Sequence, residues 1–146
     1  DDGRSYRRWT SGRSDPRQCH GDVVDAAAGV REIDEGLRQR GRVQAMIADA
    51  HIQLYAARMM TLDVARRLDA GESIRHHSSM AKVFVAEAVY QVADSAVQIC
   101  GALGVSEDLP VSMILRMLRP FRIYDGASEV HRSAIAKRAL RHGLAA

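Results

Sequence analysis

Ala81-Lys-Val-Phe-Val85-Ala-Glu87-Ala-Val89-Tyr-Gln-Val92-Ala-Asp94-Ser-Ala96-Val-Gln98-Ile99-Cys100-Gly101-Ala-Leu103-Gly104 is the stretch whose reading decides the fold. Val85, Val89, Val92, Ala96, Ile99 and Leu103 recur at steps of three or four, which lines one face of an α-helix. Ser73, Ser78 or Ser79 is available as its N-cap. The helix is expected to end near Gly101 to Gly104.

Upstream, Val43, Met46 or Ile47, Ala50, Leu54, Ala57, Thr61, Ala65 and Leu68 repeat the same spacing, and Gly71 suits the C′ stop of a second long helix. Downstream, Pro110 can open a third, shorter helix to about Leu118, because a first turn has no use for its missing N–H; Pro120 then stops it. A last helix starts after Gly126, with Ser128 as cap, and carries Val130, Ala134, Ile135 and Ala139. No segment alternates with period two. The expected class is all-α: two long antiparallel helices and two shorter ones in an up-and-down bundle. Each long helix has a broad apolar face that is stabilising only if covered, so the bundle is expected to be incomplete without a partner chain or a further segment.

Residues 1–21 are rich in Gly, Ser, Asp and Arg without an apolar period, and are expected to be a disordered arm. A short helix around Val23–Val30 is weakened by Gly29, Gly36 and the charged run from Arg31 to Glu35. The domain organisation is therefore a poorly ordered or unrelated segment over 1–40 and a helical domain over 41–146.

With 146 residues and 47% apolar content the chain has the size of one ordinary domain. Its net charge of +3 is spread: residues 1–42 hold nine Arg against eight acids, and residues 43–146 hold twelve basic against ten acidic groups. That argues against a nucleic-acid footprint, whose only candidate is the arm with Arg4, Arg7, Arg8, Trp9, Arg13 and Arg17. No run of about 18 apolar residues offers a membrane span and no apolar centre marks a signal peptide, so a cytoplasmic setting is the default expectation. The two cysteines, Cys19 and Cys100, support neither a disulfide framework nor a zinc site, and His76-His77 in a polar link is not read as a metal site. Cys100 is expected to be a buried free thiol.

The chemistry concentrates in two blocks. One is Ala81-Lys82…Glu87…Asp94-Ser-Ala96-Val-Gln98-Ile-Cys-Gly101-Ala-Leu-Gly104, followed by Leu109-Pro110-Val111. The other is Arg119-Pro-Phe-Arg-Ile-Tyr-Asp125-Gly-Ala-Ser-Glu129-Val-His-Arg132-Ser-Ala-Ile-Ala136. With Arg42-Val-Gln44-Ala-Met-Ile-Ala48-Asp49 and Ala56-Ala-Arg58, they resemble the C-terminal helical domain of the acyl-CoA dehydrogenase family over about residues 41–140. The family reads Ala-Val-Gln-x-x-Gly-Gly-x-Gly at the first block and Ile-Tyr-Glu-Gly-Thr-Ser-Glu at the second.

The resemblance implies FAD-dependent α,β-dehydrogenation of an acyl-CoA thioester within fatty-acid or related acyl-CoA oxidation, with Asp125 as the base that takes the α-proton. It implies cofactor contacts from Gln98, Gly101 and Gly104, which in the family touch the FAD of a neighbouring subunit, and from Gly126, Ser128 and Glu129. It also implies an electron-transfer acceptor protein and a homo-oligomer, a dimer or tetramer. A base of this kind works in a dry pocket, which strengthens it. The residues themselves leave other readings open: Asp125 could cap the next helix, and Gly101 and Gly104 could form a plain helix end and turn.

Departures are visible in the same blocks. Asp125 is one methylene shorter than the family's Glu, Ala102 replaces a glycine, Ala127 replaces a Thr that contacts the flavin, and Met117 replaces an Asp. Arg116 and Arg119 are kept, and are read as ion-pair or helix-end residues. The family's Arg-x-x-Phe-Gly-x-Pro has no counterpart at Arg31-Glu-Ile-Asp-Glu-Gly, and its N-terminal helical and middle β domains are not matched. The expectation is a truncated or fragmentary chain, inactive alone, with unrelated or out-of-frame sequence before residue 40. The alternative function is a non-catalytic helical assembly module or remnant.

Overall fold

A computed structural model of the chain describes Gly36 and residues 40–143. The expected disordered arm, the short helix around Val23–Val30 and Cys19 lie outside these residues. Among the described residues there are helices and no strand. They are α1 (Gly41–Asp69), α2 (Arg75–Cys100), α3 (Ala102–Val105), α4 (Val111–Leu118), a 3₁₀ turn (Arg119–Arg122) and α5 (Ser128–His142).

α1 ends as its sequence dictates. Gly71 takes φ +74°, its N–H donates to the Leu68 carbonyl (3.0 Å) and the Glu72 N–H donates to that of Arg67 (2.9 Å), the paired closure of a Schellman stop. Residues 70–74 reverse the chain, and α2 runs back along α1. α2 is the axis of the molecule: α1, α3, α4, the 3₁₀ turn and α5 all pack on it. By length and composition it could cross a bilayer, but Lys82, Glu87 and Asp94 interrupt its apolar residues and every other helix of the bundle touches it. These contacts mark it as a core helix.

The core is thin and built from small side chains. Ala57, Ala81, Ala86, Ala88, Ala93 and Ala96 are buried, which lets the helix axes approach closely, and Leu54, Val92 and Val111 fill the junction of α1, α2 and α4. The expected stripe on α1 holds from Val43 through Leu54 to Ala57, and then shifts. Met60, Val64 and Arg67 are the half-buried positions beyond it, whereas Thr61, Ala65 and Leu68 are exposed. Two successive steps of four rotate the face by about 80°, while a three and a four stay within about 20° of it, so packing against α2 selects the second course. Thr61 instead donates its hydroxyl to the Ala57 carbonyl (2.9 Å).

Three further expectations are corrected. Ser73, Ser78 and Ser79 do not cap α2: Ile74 occupies the N-cap position, and the Ser78 and Ser79 hydroxyls donate back to the Arg75 carbonyl (3.2 and 3.0 Å) inside the first turn. Leu103 lies 57% exposed off the α2 stripe, because Gly101 breaks the helix before it. Cys100 is half-buried at the last turn, where desolvation raises its thiol pKa.

Pro110 stands at the N-cap of α4, which ends at Leu118 as expected, and Pro120 sits in the 3₁₀ turn that follows. The bundle is open on one side: Ile52, Tyr55, Met59 and Leu62 lie on one face of α1 and are all exposed.

Candidate active-site loop and glycine turn

The loop that carries Asp125 is shaped by backbone before side chains enter. After the 3₁₀ turn, the Ile123 and Tyr124 N–H groups both donate to the Pro120 carbonyl (2.8 and 3.1 Å). Asp125 then adopts φ +54° and Gly126 φ +90°. Asp125 is the only non-glycine residue with positive φ among those described; such a conformation costs on the order of 1 kcal/mol or more for an L-residue, and Asp tolerates it better than most. Gly126 has less choice. A Cβ there would also lie 2.6 Å from His131 Nε2.

The surrounding side chains grip this backbone. Lys82 on α2 donates to the Gly126 carbonyl, and His131 on α5 donates through Nε2 to the Asp125 carbonyl (3.1 Å). Glu87, one turn beyond Lys82, reaches both flanks of the loop: Oε1 accepts from Arg132 (3.1 Å), and Oε2 lies 3.0 Å from Arg122 Nε. The Arg122 guanidinium also sits 5.5 Å from the centre of the Tyr90 ring, a cation–π distance.

Burial pushes the Glu87 carboxyl upward, but Arg132 and Arg122 together outweigh it and hold the group below its ordinary value of 4.5. A depressed carboxylate stabilises the fold above its unfolded pKa and loses that contribution as pH falls through the folded one. We therefore expect acidification below about pH 4.5 to loosen residues 119–132 in the parent chain. Glu87→Gln should remove that part of the pH dependence and cost on the order of 1 kcal/mol at neutral pH. Amide exchange of the loop at two pH values measures both effects.

Asp125 itself is exposed. Its carboxylate accepts no hydrogen bond and joins no ion pair among the described residues, and it does not cap α5. Ser128 does not cap it either: Ala127 holds the N-cap position and Ser128 is the first helical residue. Ser128 is 1% exposed and its hydroxyl has no partner among the described residues. An unpaired buried hydroxyl costs about 1–3 kcal/mol. Ser128→Ala is accordingly expected to leave the melting temperature of the chain unchanged or raise it, which a thermal melt checks. Glu129 is exposed in the first turn of α5, the end where a carboxylate is favoured.

The second group lies at the other end of α2. Gln98 is exposed, and its carbonyl accepts from the Gly101 N–H at 3.3 Å. Gly101 takes φ +59°, ψ −132°, a region closed to L-residues, yet an added Cβ would meet nothing within 4 Å. Gly104 is the reverse case. It is buried, and a Cβ would fall 2.4 Å from the Val97 carbonyl oxygen, so this glycine is required for α3 to fold onto the last turn of α2.

Asp125, Gly126, Ser128 and Glu129 are thus brought to one loop beside Lys82 and Glu87, while Gln98, Gly101 and Gly104 stand apart from them. Lys82 and Gln98 are separated along α2 by about 24 Å at 1.5 Å per residue. Glu87, Arg122, Arg132 and His131 as supports of the loop were missed by sequence reasoning. Their one legible signal was an acid and a lysine spaced among the apolar residues of α2. The ion pairs of this region fall on Arg122 and Arg132, whereas Arg116 and Arg119 are exposed at the end of α4.

Against a flavin, Gln98 and Glu129 are exposed and the backbone at Gly101 is open, whereas the unpaired Ser128 hydroxyl is buried. These residues could border a cofactor but form no enclosing pocket for one.

Comparison with known proteins bears on the family and the fold. The family described as "Acyl-CoA dehydrogenase, C-terminal domain" matches residues 13–140, so its match begins upstream of residue 41. The chain is 34% identical to (R)-benzylsuccinyl-CoA dehydrogenase of Thauera aromatica over 122 residues, covering 83% of this chain and 30% of that protein. It is 39% identical to acyl-CoA dehydrogenase family member 11 of Mus musculus over 121 residues, covering 82% and 16%. The solved structure of butyryl-CoA dehydrogenase from Megasphaera elsdenii superposes with TM-score 0.76 at 27% identity, covering 85% of this chain and 34% of that one. The chain spans about a third or less of the length of these relatives.

Proposed function

This chain belongs to the acyl-CoA dehydrogenase family, and on that premise we propose that it forms the C-terminal helical part of an FAD-dependent enzyme that α,β-dehydrogenates an acyl-CoA thioester. The observation that carries the reading is the Asp125 loop. Its two carbonyls are held by Lys82 and His131, its flanks by Glu87, and its carboxylate is left exposed and free. A base needs that combination: fixed backbone and an uncommitted acceptor.

In this mechanism Asp125 takes the α-proton of the thioester. The cofactor, when bound, supplies the acceptor for the β-hydrogen and its electron pair. Gly126, Ser128 and Glu129 border the cofactor on the side of the base, and Gln98, Gly101 and Gly104 border a second one. The separation of the two groups along α2 supports a homo-oligomer, a dimer or tetramer, in which each subunit serves two flavins. The described residues leave Asp125 exposed, and the dry surroundings such a base needs are not among them, so the chain alone is expected to be inactive. Reoxidation would pass through an electron-transfer acceptor protein.

The test is a chimera in which residues 41–143 replace the matching segment of the Megasphaera elsdenii enzyme. A yellow protein bleached by an acyl-CoA supports the reading, and a well-folded but colourless chimera overturns it. The exposed face of Ile52, Tyr55, Met59 and Leu62 favours a second reading, a non-catalytic assembly module. A yellow chimera that no acyl-CoA bleaches would point there.

A further inference from the structure

The place of the Asp125 carboxylate is set by backbone alone. It is exposed and accepts nothing among the described residues, so no side-chain contact fixes where its oxygens lie. Two side-chain torsions join it to the main chain, one fewer than in Glu. The backbone angles at Asp125 therefore decide where the base stands. We propose, on the reading of Asp125 as the base, that His131 is its positioning residue: it holds the left-handed turn by which a carboxylate one methylene shorter than Glu reaches the substrate.

Left-handed backbone is disfavoured for any residue with a Cβ, and Asp125 is the only described residue other than glycine to adopt it, at φ +54°. Something must offset that cost. Two helices contact the loop at successive carbonyls: that of Asp125 accepts from His131 Nε2 (3.1 Å), and that of Gly126 from Lys82. Only the first pins the peptide plane between Asp125 and Gly126. Turning that plane over would carry the Asp125 carbonyl away from the imidazole, so the bond holds ψ of Asp125. One hydrogen bond and one left-handed residue are of similar free energy. Losing the bond is enough to tip the turn.

The imidazole is itself held. The His131 N–H donates to the Ala127 carbonyl (3.2 Å) at the start of α5, and the next residue, Arg132, is paired with Glu87 of α2 (3.1 Å). The ring fits against the loop because residue 126 has no side chain: a Cβ there would stand 2.6 Å from Nε2 and 3.2 Å from Cδ2. Glycine admits the ring, the ring orients the carbonyl, and the carbonyl sets the aspartate.

Two measurements test this role. In the 146-residue chain, the HN–Hα coupling and the intraresidue NOE of Asp125 report φ without any cofactor. His131→Leu, of similar size but without a donor, is expected to move both to values typical of negative φ. His131→Gln, whose amide nitrogen can stand where Nε2 does, is expected to restore the parent values. Unchanged values in His131→Leu overturn the proposal, whatever the flavin chemistry proves to be.

The second is a double-mutant cycle in the flavin-loaded chimera. With Asp125 in place, His131→Leu should lower kcat for acyl-CoA bleaching between about tenfold and a hundredfold, the scale of a misplacement of about 1 Å, with flavin content and KM unchanged. His131→Gln should recover most of the loss. In the Asp125→Glu background the same His131→Leu change should cost far less, the non-additivity of residues that act through one another.

Equal losses in the two backgrounds overturn the proposal, and so does a loss confined to KM or flavin content, which marks a structural role. If Asp125→Ala bleaches as fast as the parent, the reading of Asp125 as base fails, and that failure is told apart from a His131→Leu chimera that matches a parent dependent on Asp125. A colourless chimera leaves the first measurement to decide alone. Should His131→Leu fail to fold, His131→Asn, whose shorter amide falls short of the carbonyl, replaces it in both measurements.

Discussion

In the flavin-loaded chimera, Asp125→Ala is expected to lower acyl-CoA-dependent bleaching by about 10²–10⁴-fold, the usual range for losing a positioned base. Flavin content should stay the same, because the carboxylate has no partner among the described residues to lose. Asp125→Glu carries a second expectation. The added methylene moves the carboxylate by about 1 Å, a displacement that can change a rate on the order of a hundredfold. If the relatives' surroundings of the base are built for Glu, the chimera with Glu is faster than the parent. If the αL backbone at Asp125 compensates for the shorter side chain, Glu is slower. Equal rates for all three residues would remove Asp125 from the chemistry and leave the assembly reading.

Gly104→Ala should give the largest stability change. The new Cβ would stand 2.4 Å from the Val97 carbonyl and 2.9 Å from the Cys100 Cβ. The first is backbone in the last turns of α2 and cannot rotate away. Overpacking of this kind costs about 1–3 kcal/mol. At about 4–8 °C per kcal/mol for a domain near 100 residues, the melting temperature should fall on the order of 10 °C.

Gly101→Ala tests a different cause. There the space is open and only the dihedral angles object, so the loss is strain without collision, about 1–3 kcal/mol. A structure of each variant separates them: α3 displaced from α2 in Gly104→Ala, and the turn redrawn with α3 still packed in Gly101→Ala.

Periodicity made the helices legible, because three-and-four spacing is a local property of the chain. It located both long helices, the stop at Gly71 and the end of α4 at Leu118 within a residue or two. It failed where local chemistry had several equivalent answers. Three serines could have capped α2 and none does. Thr61 fits a helical stripe as well as Met60 does until α2 is laid alongside.

The candidate site divided along the same line. The Asp-Gly pair and the Gln98 to Gly104 turn stand out as motifs, since glycine next to a carboxylate or at a helix end is visible residue by residue. Their supports are not visible in that way, because Glu87 meets Arg122 and Arg132 across separations of 35 and 45 residues.

By itself, then, the sequence determined an all-α chain and the place of its turns, which follow from the period of apolar residues and from glycines whose backbone angles other residues resist; membership of one family rests on the resemblance of its ordered motif blocks. Only the tertiary structure decided that the Asp125 loop is gripped from α2 and that Gly104 is a packing necessity. It also decided that the two glycine-bearing groups are far apart. These depend on distances between helices, which are set by how alanine-lined faces close on one another in three dimensions.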